Sequence, residues 1–573
     1  MRLVRRLSLV ALFAAALAVA LSSPLGGQSA HVSDARDPRL NQGPKAVASG
    51  ERVMVSTQLP DVTEAAVDVL RRGGNAVDAF ITAVFLQHVV DYHQVSHFGA
   101  MAGLYYEAAT GRYYAFDAYS ERPDADTCGT GDASKVAIGG TVRGLEALAT
   151  RFGTRPWASY VEPAIRAAEE GVVVTSFMYG ANYADWDTGD LIKGNADARE
   201  FFMPDGHLVP VGARWKMPTL AATLRGVASE GADYLYTGAW GRKFVEQARK
   251  KGFCVSEANM AAYEVRWAEP VRSTYRGHEI IGEPAPKKGG IQIAYALNIL
   301  EQFDLKALGH YTESAEALDT MARALGRVED DIRHAVVDPL AFRVPTEVFL
   351  SKDYARFGAD IVRQSQVQPN VRLVAPPTAS VEAGVFRAER FVDGQPVADD
   401  SNHNVIVDAE GNWISSLHTM HGGAPGLFID GVRAIGSGFA GQVRGPGRRV
   451  SANSTGVFVA RDGKPWLSIG SPGVPPQPVT QVLANIIDFG MSPKEAAEAP
   501  RFFAFRTSER VIDIESRIPD TLRREAAARG LKIKDAGPFN WHMGSMQIVW
   551  RDAQTGTLHG VSDPRRLGYA AGY

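Results

Sequence analysis

Alternation of apolar and polar positions, broken by turn residues, marks strands at intervals along the chain, and helical spacing governs the stretches between them. Leu104-Tyr105-Tyr106 and Tyr113-Tyr114-Ala115-Phe116 flank a Thr110-Gly111 turn, which predicts an antiparallel hairpin. Residues 405–407 and 413–417 predict a second hairpin across the turn residues 408–412, so Ser401 stands at its head. A third spans 456–460 and 465–469 around Arg461-Asp462-Gly463-Lys464 and runs into Gly470-Ser471-Pro472-Gly473-Val474. Residues 546–550 predict a further strand.

Helices are bounded by their caps. Asp61-Val62-Thr63-Glu64 has an N-cap residue followed three positions on by a carboxylate, and Ala65, Ala66, Val69 and Leu70 continue the pattern to Arg71-Arg72-Gly73-Gly74. Asn75 caps the next helix, whose Ala79, Ala83 and Leu86 belong to a run apolar on most faces. Residues 144–363 read as mostly helical, most clearly at 294–300 and 315–328, with a loop at 284–290. Ser492-Pro493-Lys494-Glu495 opens a helix with a cap and a proline at its first position. Residues 382–400 lack a helical pattern and read as an exposed linker leading to Ser401. No period of 20–50 residues repeats, which argues against a solenoid.

The balance of 45% apolar to 22% charged residues is that of a globular protein. A net charge of -3 without blocks of like charge gives no electrostatic reason to expect nucleic acid, so a small-molecule or peptide partner is expected. Arg2, Arg5 and Arg6 precede an apolar run at 7–21 and then Ser22-Ser23-Pro24, the layout of a secretory signal within residues 1–30. The alternative is an uncleaved anchor, but a bilayer span needs about 20 apolar residues and this run is shorter. The cleavage point stays open between Ala18-Val19-Ala20 and Ala30. Export to a periplasmic or extracellular space is expected, with no membrane span after processing. Cys128 and Cys254 are able to form one disulfide there, and their spacing does not suggest zinc.

Cleavage between Asp400 and Ser401 would give Ser401 a hydroxyl and a free α-amine of pKa about 7.7–8.0, a nucleophile and its own base in one residue. The same hydroxyl can make the cut by attacking the preceding carbonyl. Acyl transfer also needs donors for a developing oxyanion, and the glycine turn at 470–474 can present consecutive backbone N–H groups to one point.

At these residues the chain resembles the gamma-glutamyltransferase family of N-terminal-nucleophile hydrolases. Leu70-Arg71-Arg72-Gly73-Gly74-Asn75-Ala76-Val77-Asp78-Ala79 is similar to its N-terminal signature. Gly153-Thr154-Arg155-Pro156-Trp157, residues 162–171, Gly490-Met491-Ser492-Pro493-Lys494-Glu495-Ala496, Ala499-Pro500-Arg501-Phe502, Ser562-Asp563-Pro564-Arg565 and Ala571-Gly572-Tyr573 follow in the family's order. The resemblance implies an α+β, four-layer αββα sandwich and a precursor that cuts itself into a large subunit, 31–400, and a small one, 401–573. It implies that Ser401 takes the place of the threonine nucleophile, that Thr419 supports it, and that Gly473 and Val474 supply the oxyanion N–H groups. No cofactor is implied.

The expected grip on a glutamyl group is incomplete. Tyr119 stands near the family's carboxylate-binding arginine, and a phenol cannot form a guanidinium's bidentate ion pair. Ser451 matches one of two carboxylate-binding serines, Ala452 replaces the other and His421 replaces an asparagine. Asp430 is the nearest candidate for the substrate ammonium. Residues 436–449, with Arg444, Arg448 and Arg449, read either as a charged lid or as a solvated loop. His88, His93, His97, His403, His418 and His421 invite a metal reading, but no carboxylate stands at zincin-like spacing and the mechanism needs none. The expected activity is therefore amide hydrolysis or acyl transfer through Ser401 on an amide other than gamma-glutamyl. The alternatives are a gamma-glutamyltranspeptidase or glutathione hydrolase, and an uncut, inactive ligand-binding relative.

Overall fold

The protein is described by a computed structural model covering residues 43–123, 136–175, 178–179, 186–333, 335–367, 401–420, 423–436, 448–473, 476–504 and 511–573. Two seven-stranded antiparallel sheets organise it. The first runs, in spatial order, Gly568–Gly572, Met54–Gln58, Asn402–Val407, Trp413–Thr419, Ala100–Glu107, Arg112–Ala118 and Arg266–Ala268. The second runs Ala48–Gly50, Leu558–Ser562, Gln547–Arg551, Lys464–Gly470, Gly456–Arg461, His278–Gly282 and Val271–Tyr275.

Strand alternation sorts the core into three clusters. Met54, Leu104, Tyr113, Val405, Val407 and Trp413 of the first sheet pack with Ile281, Phe458, Val549 and Leu558 of the second. Their sequence neighbours Val55, Tyr105, Ile406 and Ile414 instead join the cluster that holds the helices Pro60–Arg71 and Ala76–Val90. Val457, Val459, Leu467, Ile469 and Ile548 join the helices Gly289–Leu300, Ala315–Ile332 and Pro476–Ile487. Each sheet thus meets the other with alternate residues and meets helices with the rest.

The three predicted hairpins and the strand at 547–551 are present. Asn75 caps Ala76–Val90 in a capping box with Asp78, every residue of that helix is buried, and Ser492 caps Pro493–Glu498 with Glu495. The first helix differs from expectation. It begins at Pro60 with Leu59 as its N-cap, and Asp61 lies within its first turn. Proline's fixed φ suits the first helical position, and Asp61 then complements the helix dipole instead of capping it. The span read as mostly helical also contains the edge strands Arg266–Ala268 and Val271–Tyr275 and, next to the latter, His278–Gly282. Val271–Tyr275 buries only its first and last residues, a spacing of four that suits a helix as well as a strand.

Cys254 is disulfide-bonded, and Cys128 lies outside the described residues. Also outside them are the predicted signal segment, the linker at 382–400 and Asp400, His421, Arg444 and Val474. Among the described residues no helix is long and apolar enough to cross a membrane.

Candidate active site

Ser401 and Thr419 face each other across the central hairpin. Asn402 pairs with His418 and His403 with Leu417, so one further step in that register sets Ser401 opposite Thr419. Strand alternation gives these two the parity of His403 and Ser415, whose side chains meet each other between the sheets. Both are buried. Thr419 pairs in turn with Ala100, and the preceding Gly99 admits no side chain, because a Cβ there would lie 2.3 Å from the Thr419 carbonyl oxygen.

Polar side chains fix the two strand ends. The Arg566 guanidinium, 1% exposed, donates through Nη1 to the Ser401 carbonyl at 3.3 Å and to Gln94 Oε1 at 2.8 Å. Its Nη2 donates to the Trp541 carbonyl at 3.5 Å, and its guanidinium carbon lies 3.7 Å from the Trp541 ring centroid. The Gln94 carbonyl accepts from the Met420 N–H at 3.2 Å, so one residue braces the chain after Thr419 and the arginine at Ser401. Asn402 Nδ2 donates to Asp91 at 2.7 Å, and Asp91 also accepts from Gln94 Nε2.

A chain of hydrogen bonds joins this strand to the glycine turn of the second sheet. Asn404 donates to Gln87 Oε1, Gln87 to the Gln58 carbonyl and Gln58 to Ser545 Oγ. The Ser545 N–H donates to Ser471 Oγ at 2.9 Å, and that hydroxyl donates to the Pro472 carbonyl. Thr455 Oγ1 holds the other side, donating to the Ser471 carbonyl and accepting from its N–H. Gly473 takes φ +91°, a region side chains rarely adopt, which explains a glycine there.

Four histidines stand near this end of the sheet. Burial pushes His97, His403 and His418 down to about 3 and holds His88 well below the usual imidazole value, so all four are neutral at pH 7. His88 packs edge-on against His97 and His418 with centroids 4.8 and 5.1 Å apart. Among the described residues no group of three or more His, Cys, Asp or Glu is arranged to hold a metal ion.

The expected substrate-binding residues are largely engaged with the protein itself. Tyr119 is buried, Lys287 Nζ lies 3.8 Å from its ring centroid, and its carbonyl accepts from Tyr263 Oη and Arg449 Nη1. Burial, with Glu283 and Asp117 nearby, pushes its phenol well above the ordinary value. Ser451 Oγ reaches the carbonyls of Pro286 and Val336, and the Ala452 carbonyl accepts from the Lys288 N–H. Asp430 sits in a hairpin turn at φ +46°, its carboxylate bonded to Lys243 at 2.6 Å. Arg449 is 1% exposed and pairs with Glu121 at 3.3 Å and Asp117 at 3.7 Å, while Arg448 pairs with Glu121 at 2.8 Å. Of the charges expected of a lid, those of Arg448 and Arg449 are thus committed to a network with Glu121 and Asp117.

Sequence reasoning missed Asp91, Gln94, Arg566, Glu283 and Lys287. Burial raises the Glu283 carboxyl to about 7 and lowers the Lys287 ammonium to about 8. No local pattern marks them: Asp91, Gln94, Glu283 and Arg566 lie outside the predicted elements, and Lys287 lies in the segment expected to be a loop.

Comparison with known proteins places this geometry in a class. The fold matches the crystal structure of cephalosporin acylase from Bacillus halodurans with a TM-score of 0.78, covering 96% of this chain and 99% of that one at 23% identity. The gamma-glutamyltranspeptidase profile matches residues 62–429 and 437–573, and the chain belongs to that family. It is similar to the acylase ACY 1 proenzyme of Pseudomonas sp. (strain SE83), 31% identical over 528 residues, 85% of this chain and 88% of the relative. It is also similar to the glutathione hydrolase proenzyme of Escherichia coli (strain K12), 28% identical over 91% of this chain and 92% of the relative. The protein is accordingly an enzyme of the N-terminal-nucleophile amidohydrolase and transpeptidase class.

Proposed function

We propose that the chain is an exported, self-cleaving amide hydrolase or acyltransferase that works through an acyl-enzyme on Ser401 and acts on an amide other than gamma-glutamyl. The observation that carries this reading is the register that sets Ser401 opposite Thr419 at the head of the central hairpin. In the precursor, Ser401 Oγ attacks the Asp400 carbonyl, the C–N bond breaks to leave an ester and a free Ser401 amine that takes up the hydroxyl proton, and water hydrolyses that ester to release the Asp400 carboxylate and restore the Ser401 hydroxyl. The products are a large subunit, 31–400, and a small subunit, 401–573, sharing a four-layer αββα sandwich.

In turnover the free amine takes the proton of Oγ as it attacks the substrate carbonyl, with the Thr419 hydroxyl supporting the nucleophile. The N–H groups of Gly473 and Val474 receive the oxyanion. The leaving amine departs with the proton, and water or a second amine then attacks the ester on Ser401. Proenzyme relatives support the processing step. The disulfide bond at Cys254 supports an oxidising compartment, and with the charge-then-apolar N-terminus it supports export.

The substrate reading rests on missing partners. Losing a charge-assisted contact costs about 1.5–3 kcal/mol, and here Tyr119 replaces an arginine, Ala452 replaces a serine, Ser451 is bonded to its own chain and Asp430 is held by Lys243. Similarity to an acylase supports an acyl group without the glutamate zwitterion. The 28% identity to glutathione hydrolases supports the alternative of glutamyl transfer.

Three p-nitroanilides separate the two: gamma-glutamyl, glutaryl, which lacks the ammonium, and butyryl, which lacks both charges. Faster turnover of glutaryl or butyryl is expected, and preference for the gamma-glutamyl compound would sink the altered-pocket reading. A denaturing gel tests the chemistry beneath. Two fragments in wild type, the smaller beginning at Ser401, and one uncut chain in Ser401→Ala are expected. One full-length band in both would mean an inactive relative.

A further inference from the structure

Arg566 lies outside the residues assigned a role in the proposed reaction, yet it touches the backbone of the expected nucleophile. Its Nη1 donates at once to the Ser401 carbonyl and to Gln94, whose own carbonyl holds the Met420 N–H. One guanidinium therefore ties the start of the strand carrying Ser401 to the end of the strand carrying Thr419. Its own place is fixed by the stack on Trp541 and the bond to the Trp541 carbonyl. A guanidinium suits this task because its donors point in fixed directions within one plane.

Cleavage makes the geometry matter more. Before it, Ser401 is held from both sides by peptide bonds. Afterwards its amine is a chain end, and only its carbonyl side is tethered. A donor on that carbonyl fixes the peptide plane from which the new terminus projects, and a misplacement of about 1 Å at a nucleophile can cost 100-fold in rate.

We propose that Arg566 is a positioning residue for Ser401, holding its carbonyl in register with Thr419 through Gln94 and keeping a fixed positive charge beside the amine that cleavage releases. The proposal rests on the reading of Ser401 as the nucleophile. Among the described residues, the charged or titratable groups near this strand end include Asp91, bonded to Asn402, His93, 3.5 Å from Asp91, and the neutral His88, His97, His403 and His418. The neighbouring Asp563 and Arg565 are paired with each other and with Arg501 and Glu515. A cation within about 4–6 Å disfavours protonation of an amine, by about one pH unit or more.

The test uses the full-length chain and needs no known substrate. Self-cleavage is timed on denaturing gels for wild type, Arg566→Gln and Arg566→Lys. The mature proteins are then labelled with acetic anhydride across pH, and acetylation of the Ser401 amine is read by mass spectrometry. Arg566→Gln is expected to slow self-cleavage about 100-fold and to move the amine's titration up by about one pH unit. Arg566→Lys is expected to keep the titration near the wild-type position, which a merely structural role would not produce. If Arg566→Gln does not fold, as judged by near-ultraviolet circular dichroism, Gln94→Met breaks the same clamp without touching the charge. It is expected to slow cleavage while leaving the titration in place. Wild-type cleavage and an unmoved amine in a folded Arg566→Gln would overturn the proposal, as would wild-type cleavage in Gln94→Met. A wild-type small fragment starting at a residue other than Ser401 would instead overturn the nucleophile reading itself.

Discussion

The imidazole of His403 occupies the space that a side chain at Gly470 would need, for a Cβ there would lie 2.1 Å from its Nε2. His403 is two residues along the strand from Ser401, and Gly470 ends the strand that leads into the turn at Gly473. This contact therefore sets how closely the expected nucleophile and the expected oxyanion donors approach each other. Gly470→Ala is expected to destabilise the fold by about 1–3 kcal/mol through overpacking and to slow self-cleavage beyond what that loss explains. Urea unfolding and a cleavage time course measure the two effects, and a stable variant with wild-type cleavage would show that the sheets adjust freely.

Thr419→Val tests the facing hydroxyl with little change of shape. A hydrogen bond to a charged or charging group contributes about 1.5–3 kcal/mol, so cleavage and turnover are expected to fall about 10–100-fold. Thr419→Ser is expected to retain most of the rate. Equal rates in Thr419→Val and wild type would remove Thr419 from the mechanism.

The central hairpin was legible because strand-forming runs at 405–407 and 413–417 flank turn residues at 408–412; both strands are buried throughout, and only their surroundings alternate, His403, Val405 and Val407 turning to the second sheet and Asn402, Asn404 and Ile406 to the helices. What was not legible is long-range. Arg566 and Gln94 are 472 residues apart, and no local pattern marks either as part of a clamp. Lys287 belongs to the span 284–290, whose prolines and glycines read as a loop, with Glu283 just before it, and a loop's composition does not disclose that its charges are buried. Asp61 was misread for the opposite reason: local capping preference was right in kind, but Pro60 set the helix start two residues earlier.

The buried pair Glu283 and Lys287 predicts a stability minimum near neutral pH. Glu283 is raised from 4.5 to about 7, first by desolvation, so between those values the folded protein keeps a proton the unfolded chain has lost. Stability then falls as pH rises through that window, by at most about 3 kcal/mol. Lys287 is lowered from 10.5 to about 8, again by desolvation, so from about 8 upward the unfolded chain holds the extra proton and stability recovers with pH. Thermal midpoints across pH 5–10 measure both limbs. Glu283→Gln, which keeps an acceptor for the Gly456 N–H, is expected to flatten the acid-side fall, and a flat wild-type profile from pH 5 to 7 would refute this account.

The segment that presents Arg566 is anchored by a fully buried charge cluster, and that anchorage predicts a separable effect on stability and on the site. Asp563 bonds Arg501 and accepts from Arg565 Nη1 at 3.1 Å and from the Arg565 N–H, while Glu515 holds Arg565 through Nε and Nη2 at 2.7 Å each. Burial, then the charge of Arg565, already lowers the Arg501 guanidinium to about 10 against the pull of Asp563. Asp563→Asn keeps the volume but leaves two guanidinium groups facing one carboxylate. Removing one partner of a buried pair typically costs about 3–5 kcal/mol, whereas breaking the exposed Glu246 to Lys250 pair with Glu246→Gln is expected to leave the unfolding midpoint unchanged. Because Asp563 lies three residues before Arg566, the folded fraction of Asp563→Asn is also expected to cleave itself slowly. A large loss of stability with a normal cleavage rate in the folded fraction would mean that the stack on Trp541 alone holds Arg566 in place.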